Sequence, residues 1–204
     1  MNNFDEKAKE WDDNPIHIER SRAIAEAIRK NVSLSVTMKA FEYGCGTGLL
    51  SFTLQHDLGS ITMADNSDGM LQVLRDKIKE QNAENLVPIK IDLTNDSLPD
   101  QKYDLIFTQM TLHHIQDIDA ILNTFYKMLN NNGILCIADL DKEDGSFHGK
   151  EVHDVHHGFD RDKLADKMRD SGFNNITFST AYKMSREIDN VAKTFPVFLS
   201  VAHK

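Results

Sequence analysis

The chain has 204 residues, 40% hydrophobic and 27% charged, ordinary proportions for a globular protein large enough to bury one substantial core. No apolar stretch approaches the roughly 20 residues that cross a bilayer, and a formal net charge of −9 opposes a polyanionic partner, so membrane insertion and a nucleic-acid substrate are both disfavoured. The two cysteines, Cys45 and Cys136, offer no disulfide framework and the opening residues lack a basic-then-apolar secretory pattern, which leads to the expectation of a reduced, cytoplasmic setting.

In chain order, Phe4, Ala8 and Trp11 recur on one face at helical spacing, and a helix near residues 16–31 carries Ile16, Arg20, Ala23, Ile24, Ala27 and Ile28, mostly a core-packing stripe. A strand near 38–43 runs into Glu42-Tyr43-Gly44-Cys45-Gly46-Thr47-Gly48 and a helix near 48–58. A second strand, 60–64, ends in Asp65, and Ser67 or Asp68 can cap a helix over 67–82. Strands near 87–91 and 103–109 end in Asp92 and Gln109. A helix near 117–130 stops at Asn130-Asn131-Asn132-Gly133, and a strand follows over 133–139. After a helix near 160–171 come strands at 176–182 and 194–202, joined by about ten residues without a helix, with Pro196 expected near the start of the second strand. Such a pair forms an antiparallel hairpin. The alternation as a whole predicts an α/β fold with a largely parallel sheet covered on both faces.

Three glycines at alternate positions between a strand and a helix let the backbone pass close to a ligand, and the helix start presents free N–H groups to an anion. The spacing is G-x-G-x-G; the dinucleotide pattern G-x-G-x-x-G would need glycine where Leu49 stands. Any tight strand-to-helix turn can use glycine, so the loop also has a purely structural reading. Asp65, at the tip of the second strand, is placed to accept from ribose hydroxyls or to serve as a turn residue.

Taken together, these segments resemble the class I S-adenosylmethionine-dependent methyltransferases. Glu42 through Gly48 is similar to motif I of that family, Asp65-Asn66-Ser67-Asp68-Gly69-Met70-Leu71 to its D-x-S-x-x-M-L helix opening, and Thr108 through Ile115 to motif IV with its L-H-H-I continuation. Phe4 through Asp12 resembles the F-D-x-x-A-x-x-W-D start of many members. The resemblance, over roughly residues 4–175, implies a Rossmann-like, doubly wound sheet of seven strands whose last strand is antiparallel, in a single domain over 1–204. It implies S-adenosylmethionine as cofactor and S-adenosylhomocysteine as product. Glu42 would lie near the methionine ammonium, Gly44, Gly46 and Gly48 along the methionine part, Asp65 at the ribose, Asp92 at the adenine amino group, and Met70 and Gln109 around them. Residues 1–31 would form a lid, or a docked terminus. The Asn/Asp-Pro-Pro-aromatic signature of nucleic-acid base methylation is replaced by Thr108-Gln109-Met110-Thr111, which favours a small-molecule acceptor. A cofactor-binding regulator without turnover is the alternative; a nicotinamide oxidoreductase is disfavoured by Leu49.

Six of the nine histidines follow the fourth and fifth strands, where ligands of open α/β sheets bind. His114 and His156 or His157, the latter two in a stretch resembling the family's H-H-G-F-D, are candidates for acceptor contact or proton transfer, although a single histidine more often packs or hydrogen-bonds. His153 and His157 could share a helix face as metal ligands, but Gly145 and Gly149 suggest an irregular loop and Asp160 a helix cap; no metal is expected. The acceptor atom and the oligomeric state stay open.

Overall fold

The apolar runs become seven strands: β1 (Lys39–Tyr43), β2 (Ser60–Asp65), β3 (Leu86–Lys90), β4 (Tyr103–Gln109), β5 (Leu129–Leu140), β6 (Asn174–Ile188) and β7 (Val191–His203). They form one sheet in the order β3-β2-β1-β4-β5-β7-β6, parallel except that β7 runs against both β5 and β6. The structure is a computed structural model that describes residues 3–148 and 155–204. The helices are α1 (Asn3–Lys7), α2 (Pro15–Asn31), α3 (Leu49–Leu54), α4 (Asp68–Gln81), α5 (Ile118–Met128) and α6 (Arg161–Asp170), with 3₁₀ turns at Ala8–Asp13 and Leu112–His114. No helix among the described residues is long and apolar enough to cross a membrane.

Each long helix starts where a side chain takes up free N–H groups. Asn14 accepts from Ile16, with Pro15 in the first turn of α2. Ser67 accepts from Met70 in α4, Asp117 from Ala120 in α5, and Asp160 from Asp162 and Lys163 in α6. The apolar stripes then cover the sheet from both sides. Ile24, Leu50, Leu54, Leu71 and Leu74 pack on one face, and Ile121, Leu122, Phe125, Leu164 and Met168 on the other. Successive residues of β1 serve opposite layers: Ala40 belongs to the first cluster and Phe41 to the second.

The chain winds outward from β1 to β3, then returns to place β4 on the other side of β1. The carboxyl ends of β1 and β4 therefore border a crevice, the usual ligand position in such sheets.

Two expectations about the last strands change. The ten-residue connection does not exist: β6 and β7 extend through it and meet at Asp189-Asn190, both at positive φ (53° and 59°), the pattern of a type I′ hairpin turn. Lys183-Met184-Ser185-Arg186 continues β6 because Met184 is buried on one side while its neighbours are not. Pro196 consequently sits inside β7, not at its beginning. Its carbonyl accepts from the Asp141 amide just beyond the end of β5, so its missing N–H faces a flank where that ladder has already stopped.

Candidate functional site

The loop after β1 is pinned to β2: the amides of Gly44 and Cys45 donate to the Ala64 carbonyl at 2.8 and 3.0 Å. All three loop glycines have positive φ, where a side chain is strained, yet they do different jobs. A Cβ on Gly44 would collide with Thr111, and one on Gly48 with Met63 and Leu74, whereas one on Gly46 would meet only the Met70 sulfur at 3.8 Å. Gly44 and Gly48 are thus glycine for packing as well as for φ. Gly46 is the one whose inner side opens onto space.

That space is a cavity of about 1030 Å³ at the carboxyl ends of β1, β2, β3 and β4. Gly44, Gly46, Asp65, Met70, Asp92 and Gln109 line it, which brings together six of the eight sequence-derived cofactor positions. Glu42 and Gly48 lie behind the loop and do not line it. Asp65 accepts from the Gly46 amide at 2.7 Å and the Ser67 amide at 2.9 Å, and from the Asn66 amide; with about four acceptor positions on a carboxylate, capacity remains. Burial pushes the Asp65 pKa up, partly opposed by these amides. Asp92 is oriented by bonds from Thr94 and Asn95; burial pushes its carboxyl up, but these bonds outweigh it and the net shift is downward. Gln109 is tied to Ser21 of α2 at 3.1 Å.

Glu42 is wholly buried. One of its oxygens accepts from the Ser51 hydroxyl, while Oε1 has no partner among the described residues. Burial raises its pKa to about 8, against the lowering effect of Ser51. A buried carboxyl with an idle oxygen behind a glycine loop fits a cationic group arriving on the other side.

The opposite wall carries groups that single-residue reasoning missed. His113 is buried; its Nδ1 lies 2.6 Å from Asp139 Oδ1 and its amide donates to Oδ2 at 3.2 Å. Burial pushes the Asp139 carboxyl up, but the His113 interaction and backbone amides hold it below the ordinary range. His114 and His148 stand against His113, with ring centroids 4.1 and 4.8 Å away. Burial first, and then repulsion from the other rings, lowers both pKa values to about 4. Arg20 and Arg186 complete this wall. Arg20 is 6% exposed with an unpartnered Nε, and burial followed by the charge of Arg186 lowers it to about 10. Met110, between the two walls, holds φ at +52°, a conformation that costs a bulky residue on the order of 1–3 kcal/mol and that gathers at functional sites.

Of the three sequence-derived histidines, only His114 lines the cavity. The His156 ring sits 2.9 Å from the Ile115 carbonyl and its amide donates to His113, which ties the loop before α6 to the turn after β4. His157 is exposed and packs its ring against Gly145. His153 lies outside the described residues. One signal for the missed pair was available: Asp139 ends the fifth apolar run much as Asp65 and Asp92 end theirs.

The amino-terminal segment crosses the cavity mouth. Phe4 and Trp11 line the cavity with Lys7 and His17; the Phe4 ring lies 5.5 Å from His114 edge-on. Two of its acids hold it there. Asp5 accepts from the Ser67 hydroxyl and the Gly69 amide. Asp12 accepts from Thr47 at 2.6 Å and from Lys77 at 2.5 Å.

A family model described as "Methyltransferase domain" matches residues 40–133, the stretch that builds β1 through the start of β5 and most of the cavity floor. Over that stretch the chain is similar to methyltransferase domains. An uncharacterized methyltransferase of Schizosaccharomyces pombe is 31% identical over 135 residues, covering 59% of this chain and 48% of the other. The fold is similar to that of Haemonchus contortus phosphoethanolamine N-methyltransferase 2, solved in complex with S-adenosyl-L-methionine: TM-score 0.75, 13% identity, 100% of this chain and 60% of the other. It is also similar to a chain from the complex of the Haloferax volcanii Trm112 methyltransferase activator with a methyltransferase: TM-score 0.78, 15% identity, 100% and 98%. The chain spans only 36% to 48% of the length of the first curated relatives it matches. The cavity offers an open glycine edge and remaining acceptor capacity on Asp65, with the orphaned Glu42 oxygen behind the loop, and these features fit S-adenosylmethionine.

Proposed function

We propose that the chain transfers the methyl group of S-adenosylmethionine to a small-molecule acceptor by in-line displacement. The cofactor would supply a methyl group on a sulfonium; the protein's part is to hold, orient and exclude water. Glu42 would balance the methionine ammonium from behind the loop, the backbone at Gly44 to Gly48 would follow the methionine part, and Asp65 would accept from the ribose. Asp92 would accept from the adenine amino group, with Met70 and Gln109 completing the surround. The observation that carries this reading is the cavity itself: its floor presents Asp65, Asp92 and the Gly46 edge, while its other wall presents imidazoles and guanidiniums. Its volume leaves room for a second molecule beside the cofactor.

On the acceptor side, His114 is assigned to contact the acceptor, together with the His113–Asp139 pair that structure adds. His156 acts through the His113 carbonyl and His157 through its loop, as positioning residues. Arg20 and Arg186 appear in no ion pair among the described residues, so an acceptor bearing a carboxylate, phosphate or thiolate suits that wall. Certain relatives are phosphoethanolamine methyltransferases by name, which supports an acceptor of this size and charge. The net charge of −9 favours such a molecule, dissolved in the cytoplasm, over a nucleic acid. Residues 1–31 would shield the reacting centre as a lid, which lowers the entropic part of the barrier by fixing the reactants.

Calorimetric titration with S-adenosylhomocysteine, followed by transfer of labelled methyl from S-adenosylmethionine to a panel of thiols, carboxylates and phosphorylated amines, tests this. Expected are one cofactor site per chain and a labelled product with an anionic acceptor. Absence of homocysteine-cofactor binding would overturn the reading, and binding without product across the panel would leave the regulator in its place.

A further inference from the structure

The geometry points to a divalent-cation site of the zinc type formed by His113, His114 and His148, with Asp139 orienting His113. One ligand atom from each histidine lies within 4.8 Å of the other two. The ring centroids are 4.1, 4.8 and 5.5 Å apart; three imidazoles sharing a zinc ion with Zn–N near 2.0–2.1 Å have centroids roughly 5 Å apart. The rings are thus already at the spacing of a shared ion, and the nitrogens converge on it by rotations that close the gap by on the order of 1 Å.

Two further observations agree. With Nδ1 engaged by Asp139, His113 has Nε2 left as its ligand atom, and a carboxylate on the far ring nitrogen is the usual outer partner of a metal-bound histidine. His148 Nε2 is buried without a partner among the described residues, and a cation beside it removes that deficit. Three imidazoles leave a fourth position, and since all three residues line the cavity that position opens onto it, as in zinc sites that exchange a water or substrate. Arg20 and Arg186 stand nearby and repel a cation, so the fourth ligand is an anion, and occupancy rises when one is supplied. The ion's presence stands apart from methyl transfer; only the assignment of the fourth position to the acceptor rests on that reading.

The test uses the full chain stripped with a chelator, titrated with zinc chloride by calorimetry and loaded with cobalt(II) for visible spectroscopy. Expected are one ion per chain with a micromolar or tighter Kd, the visible bands of tetrahedral cobalt, and tighter binding with added phosphate or a simple thiol. His148→Ala should weaken zinc at least 100-fold and Asp139→Asn 10- to 100-fold. Substoichiometric or weak binding in the unaltered chain, six-coordinate cobalt spectra, or unchanged affinity in a folded His148→Ala would overturn the site. If a variant fails to fold, stoichiometry and the cobalt spectrum of the unaltered chain decide alone. Titration of that chain with S-adenosylhomocysteine, with and without zinc, reports separately on the cofactor site: zinc bound without the cofactor would remove the methyltransferase reading and leave the metal site standing.

Discussion

Glu42 shows how one residue can be tuned by its burial. Its pKa rises from 4.5 to about 8 in the fold, chiefly by burial, so its contribution to stability is complete below pH 4.5 and is lost as pH climbs through 8. Glu42→Gln keeps an acceptor for Ser51 but cannot ionise. Urea denaturation at pH 5 and pH 8.5 should show the unaltered chain losing on the order of a few kcal/mol more than the variant over that interval; equal losses would contradict the buried-acid account. The same variant should bind S-adenosylhomocysteine at least tenfold more weakly, about 1.4 kcal/mol, because a neutral amide cannot balance an ammonium. Asp65 carries a double burden. Asp65→Ala removes the proposed ribose acceptor and also strands the amides of Gly46 and Ser67, so calorimetry should record at least a tenfold loss of affinity and denaturation about 1–2 kcal/mol of lost stability, with the chain still folded.

At the scale of elements, the amino-terminal segment and the last hairpin are the informative pieces. The aromatics of the F-D-x-x-A-x-x-W-D start were legible as an apolar face, but the acids of the same motif do the docking. Asp12 reaches Thr47 in the glycine loop and Lys77 on α4, two residues 30 positions apart. Asp12→Ala should loosen the segment without unfolding the sheet. Trp11, the chain's single tryptophan, reports on this directly: its emission should shift toward that of water-exposed indole and segment cleavage by protease should quicken, while global stability changes by about 1 kcal/mol or less. In the hairpin, Asn190 holds φ at 59°, and Asn190→Gly should stabilise by about 0.5–1 kcal/mol in urea titration, because glycine takes that conformation without a steric penalty. Adjacent Asp and Asn between alternating residues was a readable turn signal. The polar composition of 183–193 hid it, since an edge strand with one solvated face carries few apolar residues.

For the whole molecule, the cofactor should act as a structural ligand. S-adenosylhomocysteine at a hundred times its Kd adds about 2.7 kcal/mol, which for a chain of this size raises Tm by roughly 5–10 °C in scanning calorimetry; an unmoved Tm at saturation would contradict binding to the folded state. Much of the molecule was legible from local order. The first five strands, their intervening helices, the glycine loop and the acids at strand tips all follow from residues within a few positions of one another, and the sheet reproduces their succession. Six of the eight proposed cofactor positions line one cavity: five lie at or just beyond the carboxyl ends of parallel strands, and Met70 is on the helix that follows β2. The histidine wall was not legible in that way. His113 meets Asp139 across 26 positions and His148 across 35, and they meet only because β4 and β5 are neighbours with the same direction. Spacing along the chain therefore suggested His156 and His157, whose rings turn to a loop carbonyl and to Gly145. Local pattern was sufficient for what a strand, a turn or a cap needs, since those forces act between near neighbours in sequence. Which titratable groups share a low-dielectric wall depends on strand order and crossover, and only the folded sheet decides that.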